Sequence, residues 1–247
     1  MRKLLFIAGV FVYTSSFGQG KTLWDVEMVR VKDGQSAAYE KAWKSHIVKF
    51  HNGDDKRFAE EIMSGSNGGN ILIFTGPYAL AELDQDKPNA AAHGSDFDMN
   101  VSPFIASFTQ EGTYRWVDTL SYNSSMQAGK FITTNYHLKP GKGSDFRAEI
   151  KKALVINTKI KSPSSYNTYE KMWGGSSPSI VIVTHLKDGF KQLDNAFTPM
   201  TQDFKNAYIQ EYGQAAWDKR QNLLPEIMTS WETYISKARG DLSSATK

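Results

Sequence analysis

Among the side chains able to do chemistry, the five histidines of this chain come first, because a neutral imidazole near neutral pH can take up a proton, release one or bind a metal. His46 sits in SAAYEKAWKSHIVKF, one helical step from Trp43 and Ala42, and so falls on the face that would meet a sheet. His137 closes the run FITTNYHL, and Arg30 holds the matching place in WDVEMVRV. In a strand, side chains of one parity share a face, so Trp24, Val26, Met28 and Arg30 belong together, as do Phe131, Thr133, Asn135 and His137. His185 follows the run IVIVT and reads as a loop residue. The stretch HGSDFD brings His93, Asp96 and Asp98 close in sequence, and these are ligand types for a divalent ion. Ser95 or Asp96 ahead of an apolar run is also how a helix starts; capping is the reading adopted, and no metal is expected. Glu60 and Glu61 are strand neighbours on opposite faces, so they cannot converge on one glycosidic bond. No Gly-x-Ser-x-Gly elbow, phosphate-binding loop or dinucleotide fingerprint occurs. The absence of cysteine excludes thiolate zinc sites, iron–sulfur clusters and thiol nucleophiles.

Those residues must be positioned by a pattern the chain writes twice. WDVEMVRV, a turn at KDGQ and SAAYEKAWKSHIVKF predict a strand, a turn and an amphipathic helix. FITTNYHL, a turn at KPGKG and SDFRAEIKKALVINTKI predict the same. One constant offset carries Trp24 onto Phe131, Tyr39 onto Phe146, Trp43 onto Ile150, His46 onto Ala153 and Asp96-Phe97 onto Asp203-Phe204. Ser36 and Ser144 stand where helix N-caps are wanted. Further strands are expected near residues 57–64 and 165–173, and over 71–75 and 180–184, joined by the Gly-rich turns SGSNGGN and GGSSPS. The last strand of each half is expected in GTYRWVDTLSY and WETYISKARGDLS. Each half therefore reads β-α-β-β-α-β, the ferredoxin-like order. Residues 20–125 and 126–247 form two such repeats. Each repeat leaves one sheet face bare, and two repeats can cover each other sheet to sheet.

The hydrophobic strand followed by VKDGQSAAYEKAW or LKPGKGSDFRAEI, and then by ILIFT or IVIVT, resembles the dimeric α+β-barrel superfamily, including antibiotic-biosynthesis monooxygenase-like and NIPSNAP-like proteins. The resemblance implies an α+β fold in which both repeats form an intramolecular dimeric barrel. It implies ligand binding in a cleft between sheet and helices, where Trp43, His46, Arg30, Asn135 and His137 are the candidate residues. Several relatives hold haem through a histidine, which makes haem conceivable here through His46, His137 or His185; no cofactor is the expectation. Haem-degrading relatives use a first-strand asparagine, and Asn135 lies on the matching strand one residue out of register.

Composition sets outer bounds. With 40% hydrophobic and 13% aromatic residues, 247 residues can build a substantial core. Arg2 and Lys3, the apolar run 4–13 and the small residues near 16–18 read as a cleavable export signal over residues 1–19. That places the protein outside the cytoplasm, periplasmic or secreted, without stable membrane insertion after signal removal. Of the 29 basic residues those two leave with the signal, and the remaining 27 face 26 acidic ones, which is no footprint for nucleic acid. Three functions remain open. The first is an exported protein binding a small apolar or aromatic ligand, or a protein partner, with a homodimer conceivable. The second is a cofactor-independent or haem-dependent monooxygenase-like enzyme. The third is a purely structural or envelope-stress component, which needs only exposed apolar or aromatic patches.

Overall fold

The computed structural model describes residues 20–244 apart from 54, 88, 125–128, 175–177 and 195–198. The expected signal over residues 1–19 and the expected repeat boundary at 125/126 lie outside the described residues. Eight strands form in the order β1 Leu23–Val31, β2 Arg57–Ile62, β3 Ile71–Tyr78, β4 Ile105–Trp116, β5 Lys130–Leu138, β6 Tyr166–Trp173, β7 Ser179–His185 and β8 Met228–Ala238. Helix α1, Ser36–Phe50, links β1 to β2, and α2, Ala90–Asp96, precedes β4. In the second half α3, Gly143–Lys159, follows β5; α4 Lys191–Asp194, α5 Pro199–Tyr212 and α6 Gln214–Ile227 precede β8. No described helix is long and apolar enough to cross a membrane.

The strands close into one antiparallel barrel in the order β1-β3-β2-β8-β5-β7-β6-β4. The expectation of sheets packed face to face is corrected here. The halves join edge to edge, β2 pairing with β8 and β4 with β6, so hydrogen bonding removes all four exposed edges and the two bare faces together enclose a lumen. The β4–β6 seam is tight. Gly112 has φ +132, and a Cβ there would stand 2.8 Å from the carbonyl oxygen of Trp173. On the neighbouring turn, a Cβ on Gly174 would stand 2.8 Å from the Cα of Gly112.

Helices cover the outer faces and create two cores. One joins Tyr39, Trp43 and Ile47 of α1 to Val29, Ile71 and Ile73 of the sheet. The other joins Phe146 and Ile150 of α3 and Ile227 of α6 to Leu138 and Ile180. The helical periodicity read from sequence matches both faces. The serine caps do not. Gln35 and Lys142 hold the cap positions without side-chain caps; their carbonyls accept the first helical bonds, from Tyr39 and Phe146. Ser36 and Ser144 lie inside the first turn. The last strands begin earlier than expected, at Ile105 and Met228, because each pairs along most of its half's first strand.

Candidate functional sites

Three places bring polar groups into sheltered positions, and the parity of the strands decides which residues each receives. Trp24, Val26, Met28, Phe131, Thr133 and Asn135 all point into the lumen, around a cavity of about 430 Å³. Val29 lies on the opposite face of β1, in the α1 core. The face that the sequence reading assigned to a helix-side cleft is therefore the inner wall of the barrel. Arg30 is exposed near the strand end. His137 is half-buried at the end of β5 and lines neither cavity.

The lumen wall is largely aromatic and aliphatic, with Tyr114, Tyr169 and Tyr234 among its rings. Two of its polar side chains lack a protein partner: the Oδ1 of Asn135 and both ring nitrogens of His185. His185 ends β7 and is 2% exposed, so it is no loop residue. Burial, reinforced by the charge of Lys187, pushes its pKa down to about 4, so it is neutral near pH 7, with one donor and one acceptor nitrogen. Glu60, Glu111 and Glu232 also line the space, and among the described residues no lysine or arginine does. Glu60 is half-buried and lines the cavity; burial pushes its carboxyl up to about 7, opposed by a 2.7 Å hydrogen bond from Ser236 Oγ. Glu61, on the other parity, pairs outward with Arg239 and Lys237.

A second cavity, about 370 Å³, lies between α3 and the sheet. Tyr136, Phe146, Ile182 and Phe204 line it, with Glu149 and Arg220 as its charged groups. Glu149 is buried, accepts from Tyr208 Oη at 3.0 Å and is ion-paired with Arg220. Ala153, the offset counterpart of His46, borders this open space.

On the corresponding side of the first half, imidazoles occupy the interior. Trp43 is buried, donates from Nε1 to the carbonyl of Leu242 at 2.9 Å and stacks on His46, so it packs the core and positions its neighbour. His46 is 1% exposed on α1. Its Nδ1 lies 2.8 Å from Asp96 Oδ2, and its Nε2 lies 3.1 Å from Nε2 of His93. His51 follows the end of α1; its Nδ1 is 3.1 Å from the carbonyl oxygen of Asp55, and its Nε2 is 3.1 Å from Nε2 of His93. Asp96 is fixed on its other oxygen by Lys49 at 3.0 Å and Asn100 at 3.2 Å. Hydrogen bonds from His46 and Lys49 hold its carboxyl down at about 2.

The helix-start reading of HGSDFD does not survive. α2 begins at Ala90, and Asp96 closes it; Asp96 and His93 both turn to His46. His51 escaped the sequence reading altogether. Its only signal was a position one residue beyond an amphipathic helix, which carries no information about convergence on His93.

No protein-family model and no curated protein matches the chain. Solved structures do. A proposed monooxygenase of Lactobacillus acidophilus NCFM superposes with a TM-score of 0.54 at 11% identity, over 91% of this chain and 96% of that one. A proposed monooxygenase of Fusobacterium nucleatum gives 0.55 at 13%, over 87% and 91%. Chlorite dismutase from Candidatus Nitrospira defluvii gives 0.51 at 7%, over 90% and 93%. These neighbours belong to the dimeric α+β-barrel superfamily, and the chain shares their α+β barrel fold.

Haem does not match the described residues lining either cavity. Among the described residues the α3 cleft offers no histidine, methionine or cysteine, and burial holds the phenols of Tyr136 and Tyr166 protonated. The lumen offers His185, yet three carboxylates and no cation would face the two propionates.

Proposed function

We propose that this protein binds a small, uncharged, largely apolar or aromatic molecule in the lumen of its barrel. The supporting observation is a cavity of about 430 Å³, within the ordinary range for small-molecule sites, into which Asn135 and His185 bring polar atoms that no protein group satisfies. Leaving such groups dry costs about 1–3 kcal/mol each, and a ligand hydroxyl can satisfy them. The β5–β7 pairing sets Phe131 opposite His185 and Asn135 opposite Val181. Four residues of strand, about 13 Å, therefore separate the levels of the two polar groups. Apolar walls fill the interval, so the fitting ligand is elongated or flat, with hydrogen-bonding groups toward its ends. Three carboxylates without a cation disfavour an anion. In this reading the chain is a tandem pair of ferredoxin-like units acting after export.

A panel of neutral phenols and aromatic alcohols, titrated against the fluorescence of lumen-lining Trp24, tests the proposal. Saturable binding that weakens about tenfold or more in Asn135→Leu or His185→Phe is expected. Binding unaffected by both substitutions, or a bound ligand seen in the α3 cleft instead, refutes it. A monooxygenase reading draws support from the likeness to the two proposed monooxygenases and from the neutral, unpartnered imidazole of His185. Ligand-dependent consumption of dioxygen would favour that enzyme reading over simple binding, and a Soret band in purified protein would identify haem.

A further inference from the structure

The imidazoles of His46, His51 and His93 lie away from the lumen and take no part in the function proposed above. We infer that they form a divalent transition-metal site, suited first to zinc, with an open fourth coordination position. The proton count is the first reason. Nδ1 of His46 faces a carboxylate and Nδ1 of His51 faces a backbone carbonyl, so each of those nitrogens carries the ring hydrogen and each Nε2 presents a lone pair inward. His93 can bring at most one hydrogen on its own Nε2, which is 3.1 Å from both. Three nitrogens thus converge around a single available hydrogen, and one cation satisfies all three lone pairs.

The geometry is the second reason. All three ligand atoms lie within 4.8 Å of one another. In a tetrahedral site with zinc–nitrogen bonds of about 2.0–2.1 Å, ligand nitrogens sit about 3.3 Å apart, and two of the three edges here measure 3.1 Å. The third edge, between the buried rings of His46 and His51, is no longer than 4.8 Å and must close toward about 3.3 Å for all three nitrogens to share one ion.

The supporting shell is the third. Asp96, tied by Lys49 and Asn100, orients His46; the Asp55 carbonyl orients His51. This carboxylate–histidine and carbonyl–histidine support is what metal-bound imidazoles require to fix tautomer and ring direction. At the same offset the second half carries Ala153, Thr158 and Met200 while keeping Asp203-Phe204. The histidines are therefore additions to one half and not a demand of the helix–sheet core. Three nitrogen ligands from α1, its exit and α2 leave a fourth position for water or substrate, as in catalytic zinc centres.

The test uses the full chain without a polyhistidine tag, stripped with chelator and titrated with Co²⁺ and Zn²⁺. Expected are one equivalent of Co²⁺ per chain, the intense visible bands of tetrahedral cobalt, displacement of those bands by Zn²⁺, and a raised melting temperature. Asp96→Asn should weaken binding about 10- to 100-fold, and His93→Ala should weaken it further. Asp96→Asn keeps the test decisive if His93→Ala does not fold. Wild-type protein that takes up well under one equivalent, cobalt with a weak octahedral spectrum, or affinity unchanged in a folded variant would show a hydrogen-bonded imidazole cluster only and overturn the inference.

Discussion

Glu60 should give the barrel a pH-dependent stability of unusual sign for a carboxylate. Its carboxyl is pushed from 4.5 up to about 7 by burial in the lumen wall, with the Ser236 hydrogen bond only partly opposing. Between those values the folded chain holds a proton at Glu60 that the unfolded chain has released. Stability therefore falls as pH rises from about 4.5 to about 7, and Glu60 adds no further slope beyond either end. At 1.36 kcal/mol per unit the full effect is roughly 3 kcal/mol, or about 6–12 °C in melting temperature for a chain of this size. Glu60→Gln keeps the shape and removes the proton equilibrium. It should match wild type near pH 4.5 and exceed it by up to roughly 3 kcal/mol at pH 8. Urea denaturation of both proteins across pH 4.5–8 reads the difference directly, which matters because His185 works the other way. Its pKa is depressed to about 4, so its contribution grows as pH rises from about 4 to 6.5. Subtracting the two curves cancels His185. If the difference stays flat, or Glu60→Gln is the weaker protein at pH 8, Glu60 is ionised in the folded barrel and the account of the lumen as a poorly solvated space is wrong.

Other consequences are as direct. Ile73→Ala removes a 1% exposed side chain from the core beneath α1 and should cost about 2–5 kcal/mol in denaturant titration. Gly112→Ala must place a Cβ at φ +132 against the Trp173 carbonyl; a loss of about 1–3 kcal/mol is expected, with faster hydrogen exchange in β4 and β6. Glu149→Leu leaves Arg220 and Tyr208 without their acceptor and should cost about 3–5 kcal/mol, measured by thermal unfolding. Asn135→Leu should leave folding intact and abolish discrimination between a phenol and the same ring without its hydroxyl, seen in Trp24 titrations.

What could be read from the sequence was whatever repeats at short range. Val29 and Val31 alternating with Trp24, Val26 and Met28 announced β1, and Tyr39, Trp43 and Ile47 at helical spacing announced α1, because strand and helix periods are properties of the backbone. Short-range pattern also placed Glu60 and Glu61 on opposite faces. It misled at Ser36 and Ser144, where cap-forming residues lay beside glycine turns but the chain entered each helix one or two residues sooner.

His46 was read as a polar residue on a sheet-facing helix surface; it is buried, and its neighbours are His51, His93 and Asp96, which could not be found that way. His51 and His93 reach it from separate segments, and Asp96 changes from an expected helix start to the closing residue of α2 that fixes the ring of His46. His185 looked like a loop residue until β7 extended through it. Alternation fixed which side chains shared a face and could not say which face was enclosed; that depended on β2 meeting β8 and β4 meeting β6. The sequence by itself determined the type and order of β1, α1, β5 and α3, since each follows from residues a few positions apart, while the starts of β4 and β8 were set by pairing with β1 and β5. Tertiary structure alone decided that Trp24 and Asn135 look into a lumen and that three histidines share one point, because edge pairing and convergence are set by contacts between segments far apart in the chain.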